Sequence, residues 1–419
     1  MNFYETLATP FCHLLVQLLI IITLAQILGK GLEKIGQPAV IGEILAGIFL
    51  GPSVLGFFFP SQFQVLFDKE SLGTLQIISQ LGLIFFMFTV GLHSQPISWT
   101  KTGRKALIIS NISILFPFVL GMGLASFLRE AFSSEKVSYI EFSFFMGISL
   151  SITAFPVLAR IIRDRNLSHD ETAQMALNCA AIDDISAWTI LAGIIGISRQ
   201  QGINSLFTTL VFSGLGIFVL LKIVSPFSKF LIEKKQLADK HQFLLGLLVL
   251  LISSLYFEGA GVHALFGAFL AGVAMPAREE YRHFLQDRVE SLAGLIFLPS
   301  FFAITGLRTQ ITLLNSWETW LICAGIISLA ILGKLGGAAL ASKWCGYTWK
   351  DSLFLGILMN TRGLIELVAL NIGLELKIIS PTLFTMMVIM ALFTTMMTGP
   401  CLSLLKDSSH LKKVMSRKR

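Results

Sequence analysis

Long apolar runs separated by short polar segments make up most of this chain. Runs of about 20 apolar residues are long enough to cross the roughly 30 Å hydrocarbon layer of a membrane as α-helices. Reading each run as one span predicts an all-α polytopic membrane protein with thirteen transmembrane spans, numbered 1 to 13. These spans cover residues 11–29, 37–57, 73–92, 106–128, 139–159, 172–198, 203–221, 242–257, 260–276, 291–307, 317–341, 352–374 and 380–404.

The apolar spans contain an internal similarity. GEILAGIFL (42–50) in span 2 resembles GAFLAGVAM (267–275) in span 9, and FFMFTVGL (85–92) in span 3 resembles FFAITGL (301–307) in span 10. Such small-residue motifs also recur by chance in membrane helices. If the similarity marks a duplication, partner spans lie seven apart and cross the membrane in opposite directions. We therefore predict an inverted repeat, in which spans 4, 5 and 6 correspond to spans 11, 12 and 13.

Two corresponding spans carry helix-breaking residues near their middle. Span 5 contains SITAFP, where Thr153, Ala154 and Phe155 precede Pro156, and span 12 contains NTRG at 360–363. Proline removes a backbone donor and disfavours the α conformation of its predecessor, although a lone proline often only kinks a membrane helix. Paired interruptions favour an ion site, because unwound backbone frees carbonyl groups to replace an ion's hydration shell.

Composition and charge place the whole chain in the membrane. Of its 419 residues, 54% are hydrophobic and 14% are charged, with a mean hydropathy of +0.76, which is too apolar for a soluble domain. Alternate loops collect 24 of the 32 Lys and Arg residues, as the positive-inside rule requires. This distribution predicts an outside N-terminus and a cytoplasmic C-terminus. It also explains the net charge of +7 without nucleic-acid binding.

Six ionisable residues fall at predicted membrane depth. An Asp or Lys at a helix centre costs about 2.5–3.5 kcal/mol on insertion scales, so the Asp pair indicates function, whereas for Glu43 a structural hydrogen bond within span 2 is favoured. Adjacent Asp183 and Asp184 project about 100° apart on a helix and are expected to face different partners. Lys334 in span 11 is the obvious cation, with snorkelling to the interface as the alternative. The six residues are Glu43, Asp183, Asp184, Lys334, Arg362 and Glu366.

Arg362 and Glu366 have two open interpretations. Their i, i+4 spacing allows a simple ion pair along span 12. Alternatively, they compensate the partial charges at the ends of the broken half-helices.

The buried carboxylates suggest a mechanism by themselves. A carboxylate in a site of low dielectric can bind a proton or a metal cation, but binding one disfavours binding the other. Competition at one site that opens alternately to each side amounts to exchange. An intramembrane aspartyl protease needs carboxylates that face each other, which neighbours on one helix do not. A channel needs a continuous pore, which fits an inverted repeat with interrupted helices less well.

Several motifs, in order, resemble the monovalent cation:proton antiporters, family 2, over nearly the whole length. They are GQPAVIGEILAGIFLGPSVLG (36–56), SITAFPVLARI (151–161), AAIDDISAW (180–188), GVHALFGAFLAG (261–272) and NTRGLIELVALNIGLELKIISP (360–381). Several of these are similar to the cation/proton exchangers of plants, fungi and bacteria. The Asp-Asp pair with a lysine in span 11 is similar to bacterial sodium/proton antiporters, so the choice between Na⁺ and K⁺ stays open.

The resemblance implies a homodimer with the sodium/proton antiporter fold and two crossed broken helices. Residues 1–95 and 240–310 would form the dimer scaffold, 104–200 and 315–405 the ion-binding core, and 406–419 a basic cytoplasmic tail. Asp184 would ligate the transported cation, with Asp183 as a second ligand that also pairs with Lys334. Asp183, Asp184, Thr153 and Lys334 would together form the cation- and proton-binding site. The crossover would comprise Ala154, Phe155, Pro156, Asn360, Arg362, Gly363 and Glu366.

We therefore expect a secondary antiporter, without enzymatic activity or a cofactor, that exchanges Na⁺ for protons electrogenically in the inner membrane of a bacterium. Exchange of K⁺ or Li⁺ for protons is the alternative, and a cation channel is a more distant one.

Overall fold

The computed structural model describes residues 9–93, 101–167, 169–198, 202–234 and 238–416. Within these ranges the chain is helical and contains no strand. It divides into two compact units. Unit 1 comprises Met1–Gln26, Glu43–Pro96 and Ala192–Leu307, and unit 2 comprises Ile27–Gly42, Ile97–Leu191 and Arg308–Arg419.

The helices follow one another with short connections. The first half of the chain contains α1 (Pro10–Lys34), α2 (Ala39–Leu50), α3 (Leu55–Phe58), α4 (Pro60–Leu66), α5 (Lys69–His93), α6 (Lys101–Phe132), α7 (Tyr139–Ser151), α8 (Phe155–Asp164) and α9 (Glu171–Ser198). The second half contains α10 (Gly202–Val219), α11 (Ser225–Lys234), α12 (Asp239–Gly259), α13 (Ala264–Ala274), α14 (Glu279–Leu292), α15 (Leu298–Arg308), α16 (Trp317–Trp344), α17 (Trp349–Met359), α18 (Leu364–Glu375) and α19 (Pro381–Ser416). Two π-helical turns, Leu220–Val224 and Ala293–Phe297, and a 3₁₀ turn, Ile311–Leu313, join neighbouring helices.

Two helix crossings in unit 1 follow the sequence repeat. A β-carbon on Gly47 of α2 would overlap the carbonyl oxygen of Ala303 on α15, and one on Gly272 of α13 would overlap that of Phe88 on α5. Gly47 and Gly272 are 225 residues apart, and Phe88 and Ala303 are 215 apart. Each crossing is therefore the counterpart of the other under the offsets of the repeat, and the small residues of both motifs allow the close approach.

Unit 2 contains two interrupted helices. The first consists of α7 and α8, between which Ile152 and Ala154 have extended backbone with φ/ψ of −70°/134° and −95°/96°. The second consists of α17 and α18, which meet at 46° across residues 360–363. Against them, α6 packs closely on α16, because a β-carbon on Gly333 would lie 2.9 Å from Cβ of Pro117. A second glycine one turn later, Gly337, makes a similar approach to Phe116.

Ten helical segments among the described residues are long and apolar enough to cross a membrane, and counting the bent pair α17–α18 gives eleven. Neither α9, which carries Asp183 and Asp184, nor the 11-residue α13 is among them. The all-helical membrane fold is confirmed, whereas the count of thirteen spans stays a prediction.

The predicted positions of the termini are not tested by these helices. Residues 1–8 and 417–419 lie outside the described part of the chain, as does Arg199 of the predicted outside loops.

Candidate cation site

The two adjacent aspartates lie in the middle of α9 and are buried within unit 2. Asp183 is 1% exposed and Asp184 is 2% exposed. Their surroundings differ sharply, although both belong to the same helical turn. The two carboxylates are therefore expected to bind different partners.

Asp183 is saturated with hydrogen-bond donors. Its Oδ1 accepts from Ser110 Oγ at 2.5 Å. Its Oδ2 lies 2.7 Å from Lys334 Nζ, 2.9 Å from Thr153 Oγ1 and 3.4 Å from Ser113 Oγ. Donors from two other helices, α6 and α16, and from the non-helical segment between α7 and α8 therefore stabilise the ionised carboxylate and fix its orientation.

Lys334 completes this cluster from α16. Its side chain is 0% exposed, so it does not snorkel towards water. The ammonium donates to Asp183 and also to the backbone carbonyl of Ser151 at 2.6 Å and that of Ser113 at 3.2 Å. An ammonium has three N–H donors, and these three oxygens satisfy them. The geometry suits a charged lysine that is paired with Asp183.

Asp184 is the opposite case. Among the described residues, neither of its carboxylate oxygens has a hydrogen-bond partner. The backbone N–H of Phe155, at the start of α8, lies close enough to interact electrostatically with it. A buried carboxylate without donors is costly unless a proton or a cation satisfies it. Asp184 is therefore the candidate ligand for an exchangeable positive charge.

The two helix interruptions contact each other directly. The backbone N–H of Ala154 donates to the carbonyl of Thr361 at 3.0 Å. The hydroxyl of Thr153 lies 3.0 Å from the carbonyl of Met359, the last residue of α17, and 2.9 Å from Asp183. This hydroxyl has one proton for two acceptors, so it links the second interruption to the carboxylate cluster.

The predicted crossover residues occupy different places around these interruptions. Ala154 and Asn360–Gly363 form the non-helical segments, whereas Phe155 and Pro156 are the first two residues of α8. The side chain of Asn360 is 1% exposed, and within the described structure its Oδ1 has no hydrogen-bond partner. A β-carbon on Gly363 would lie 2.7 Å from Val157, so glycine allows α8 to approach this interruption.

Arg362 has both of the roles that the sequence left open. Its guanidinium lies 3.2 Å from Glu366 Oε1, one turn along α18. It also donates to the carbonyls of Leu150 at 2.7 Å and Ser149 at 3.0 Å, at the C-terminal end of α7. Arg362 therefore neutralises the negative end of one half-helix, while Glu366 lies in the first turn of another, where an anion is favoured.

Three polar residues of the site were missing from the sequence prediction: Ser110, Ser113 and Thr395. Thr395 of α19 accepts from the backbone N–H of Arg362 at 3.1 Å and donates to its carbonyl at 2.8 Å. Ser110 and Ser113 lie three residues apart on α6, which is the only signal that the sequence offers for them.

A cavity of about 500 Å³ lies in unit 2. Its lining includes Thr395 together with Glu33, Arg160 and Arg165, and an ion pair joins Glu33 to Arg160. Because Thr395 holds the backbone of Arg362, this cavity extends to a residue in contact with the second interruption.

Comparison with known proteins decides the family. The sequence profile described as "Sodium/hydrogen exchanger, transmembrane" matches residues 19–406. The chain belongs to the sodium/hydrogen exchanger family. It is 39% identical to the Na⁺/H⁺ antiporter NhaS4 of Synechocystis sp. over 397 residues, which cover 92% of this chain and 95% of that protein. As its family implies, this member is a transporter and not an enzyme.

Other relatives of this exchanger-family member are longer. It is 39% identical to cation/H⁺ antiporter 17 of Arabidopsis thaliana, with 97% of this chain and 50% of that protein covered. It is 31% identical to K⁺/H⁺ antiporter 1 of Saccharomyces cerevisiae, with 97% and 48% covered. The chain thus spans about half the length of these plant and yeast relatives.

A solved structure shows the same fold. The sodium proton antiporter MjNhaP1 from Methanocaldococcus jannaschii at pH 8 superposes with a TM-score of 0.68, covering 94% of this chain and 96% of that one. The sequence identity of 17% means that this match establishes the fold alone. The chain therefore has the sodium/proton antiporter fold.

Proposed function

We propose that this protein exchanges Na⁺ for protons across a membrane by alternating access. The observation that carries the proposal is Asp184, a buried carboxylate with no hydrogen-bond partner among the described residues. It lies near the backbone N–H of Phe155, in the first of two interrupted helices that contact each other. A group of this kind requires a positive charge to compensate it. A proton and a cation would compete for it, so that loading one releases the other.

In this proposal the surrounding residues have separate tasks. Asp184 ligates the cation, and carbonyl groups freed by the interruptions complete its coordination. Thr153 connects the interruptions to Asp183, and Asp183 pairs with Lys334. Asn360, Arg362, Gly363 and Glu366 give the second interruption its shape and charge.

Na⁺ is the first choice of substrate because the relative NhaS4, which is matched over nearly its whole length, is named a Na⁺/H⁺ antiporter. Exchange of K⁺ is the second candidate, since a yeast relative is named a K⁺/H⁺ antiporter. Both ions suit a site built from one carboxylate and backbone carbonyls.

The proposal extends to assembly and location. Residues 1–95 and 240–310 would form the scaffold of a homodimer, and 104–200 and 315–405 the moving core. The protein would lie in a bacterial inner membrane with its basic tail, residues 406–419, in the cytoplasm. Two protons would exchange for each Na⁺, and transport would then respond to membrane voltage.

The test is transport by the purified protein in sealed liposomes with Na⁺, K⁺ or Li⁺ outside and an imposed pH gradient. An exchanger accumulates its cation above the external concentration while the pH gradient collapses. A channel only equilibrates the cation, so equilibration without accumulation would refute the proposal. The preferred cation is the one with the lowest apparent KM.

A further inference from the structure

Two hydroxyls of α6, those of Ser110 and Ser113, donate hydrogen bonds to Asp183, whereas Asp184 has no such donor among the described residues. We infer that Ser110 and Ser113 are positioning residues that hold Asp183 away from the transported cation, so that the site offers the cation one carboxylate instead of two. This inference rests on the proposed function and adds two residues that determine its affinity and ion preference.

Each serine holds a different part of the carboxylate. Within the described structure, Ser110 Oγ, at 2.5 Å, is the hydrogen-bond donor to Asp183 Oδ1. Oδ2 is occupied by Lys334, Thr153 and, at 3.4 Å, by Ser113. Without the Ser110 hydroxyl, Oδ1 of Asp183 would be a buried carboxylate oxygen that lacks a donor, like both oxygens of Asp184.

Ser113 has a bridging position. Its hydroxyl lies 3.3 Å from Lys334 Nζ and 3.4 Å from Asp183 Oδ2, and its carbonyl lies 3.2 Å from the same ammonium. The carbonyl belongs to the backbone and persists when the side chain is truncated. Loss of the Ser113 hydroxyl is therefore expected to disturb the pair less than loss of the Ser110 hydroxyl.

The two serines can act together because residues three apart lie on the same face of a helix. Both are 0% exposed, and α6 packs closely on α16, the helix that carries Lys334. A single helix thus presents both hydroxyls to Asp183. This arrangement pre-organises the Asp183–Lys334 pair before any cation binds.

The number of carboxylates matters because a transporter must release its ion. Charged oxygen ligands raise cation affinity, and a stronger ligand field favours small cations over large ones. A carboxylate of Asp183 that is free to turn towards the ion would therefore tighten binding and slow release. The serines keep affinity low enough for turnover.

The experiment compares apparent KM and maximal rate for Na⁺, Li⁺ and K⁺ in liposomes containing wild type, Ser110→Ala or Ser113→Ala. We expect Ser110→Ala to lower the KM for Na⁺ about tenfold, the scale of one hydrogen bond to a charged group, and to lower the maximal rate. Preference should move from K⁺ towards Li⁺. Ser113→Ala should change the KM in the same direction by about twofold to threefold.

Ser143→Ala is the matched control, because Ser143 is also buried in unit 2 but is not bonded to Asp183; its hydroxyl has no hydrogen-bond partner in the described structure. An unchanged or higher KM in folded Ser110→Ala, while wild type exchanges normally, overturns this inference alone. If Ser110→Ala fails to fold, an unchanged or higher KM in Ser113→Ala overturns it. Absence of exchange by wild type overturns the proposed function as well.

Discussion

The two helix interruptions look equivalent in outline but differ in what neutralises them. At the first, the carbonyls of Ser149, Leu150 and Ser151 end α7, and they accept hydrogen bonds from Arg362 and Lys334. At the second, α17 ends at Met359, whose carbonyl accepts from the hydroxyl of Thr153. Both interruptions leave backbone carbonyls without helical partners, and within the described part of the chain only those of the first accept hydrogen bonds from protein cations.

The difference shows where an external cation can bind. The C-terminal end of a helix carries a partial negative charge, and a nearby cation is stabilised by it. At α7 that charge is already compensated by a guanidinium and an ammonium. At α17 the contacts within the described residues come from neutral donors, including Thr361 Oγ1 to the carbonyl of Leu358 at 2.7 Å. The transported cation is therefore expected between Asp184 and the end of α17, where no protein cation contacts the carbonyl of Met359 among the described residues.

Replacing Asp184 gives the largest expected effect. In Asp184→Asn the full charge that would compensate the cation is gone, and the partial negative charge at the end of α17 cannot bind the ion alone. Exchange should fall to the level of liposomes without protein, measured as cation uptake driven by a pH gradient, while the protein stays folded.

Glu171→Gln is the control for Asp184→Asn, because Glu171 is an exposed carboxylate in the first turn of the same helix. It should leave uptake unchanged. Substantial uptake by Asp184→Asn would remove Asp184 from the cation site and the α17 end with it.

Removing Arg362 should have the next largest effect, on stability. Arg362→Met leaves Glu366 buried without its partner and removes the hydrogen-bond donor of the carbonyls of Ser149 and Leu150. Breaking a buried ion pair from one side typically costs about 3–5 kcal/mol. The free energy of unfolding, measured by denaturant titration in detergent micelles, should fall by this amount.

The matched comparison is Arg160→Met, which breaks the ion pair with Glu33, where both side chains are 41% exposed. Exposed pairs contribute about 0–1 kcal/mol. Equal losses in the two variants would show that Arg362 does not stabilise the first interruption.

Lys334→Gln removes the ammonium that contacts the end of α7, and its effect is tested on charge movement. If Asp183 and Lys334 are paired in the cation-free site, cation entry at Asp184 should loosen the pair and release a proton from Lys334. A second proton leaves Asp184, so one net charge moves per Na⁺, worth about 2.3 kcal/mol per 100 mV. Without Lys334, any remaining exchange should be electroneutral in current measurements on a solid-supported membrane.

Lys343→Gln, in the last turn of the same helix, should keep the wild-type current. A persistent Na⁺-driven current in folded Lys334→Gln would mean that the pair only holds α9 against α16. In that case stability would fall and the charge moved per ion would not.

The sequence predicts the second interruption well because its cause is local. Asn360, Thr361 and Gly363 are poor helix formers in the middle of an apolar span, and the chain is non-helical between Met359 and Leu364. The contacts of Arg362 required the fold, since a spacing of four residues shows a pair with Glu366 but not the carbonyls of α7. Ser110, Ser113 and Thr395 were invisible because a lone hydroxyl in an apolar helix normally bonds to its own backbone. Only the packing of α6 and α19 gives these hydroxyls their partners.

The smallest expected effect comes from Pro156, which the sequence alone suggested as the cause of the first interruption. Pro156 is the second residue of α8, in the first turn, where a missing backbone N–H breaks no helical hydrogen bond. The extended residues lie before it and are held by the bond from Ala154 N–H to the carbonyl of Thr361 and by the hydroxyl of Thr153. The second interruption has no proline at all and is nevertheless non-helical.

Pro156→Ala should therefore weaken Na⁺ affinity by no more than about twofold, the scale of a substitution that disturbs no named contact. Thr153→Val, which removes the hydroxyl that contacts both Asp183 and Met359, should raise the apparent KM for Na⁺ further than Pro156→Ala does. If instead Pro156→Ala raises the KM tenfold and Thr153→Val does not, the proline itself keeps the first interruption open, and the hydrogen bonds between the two interruptions are a consequence of that opening.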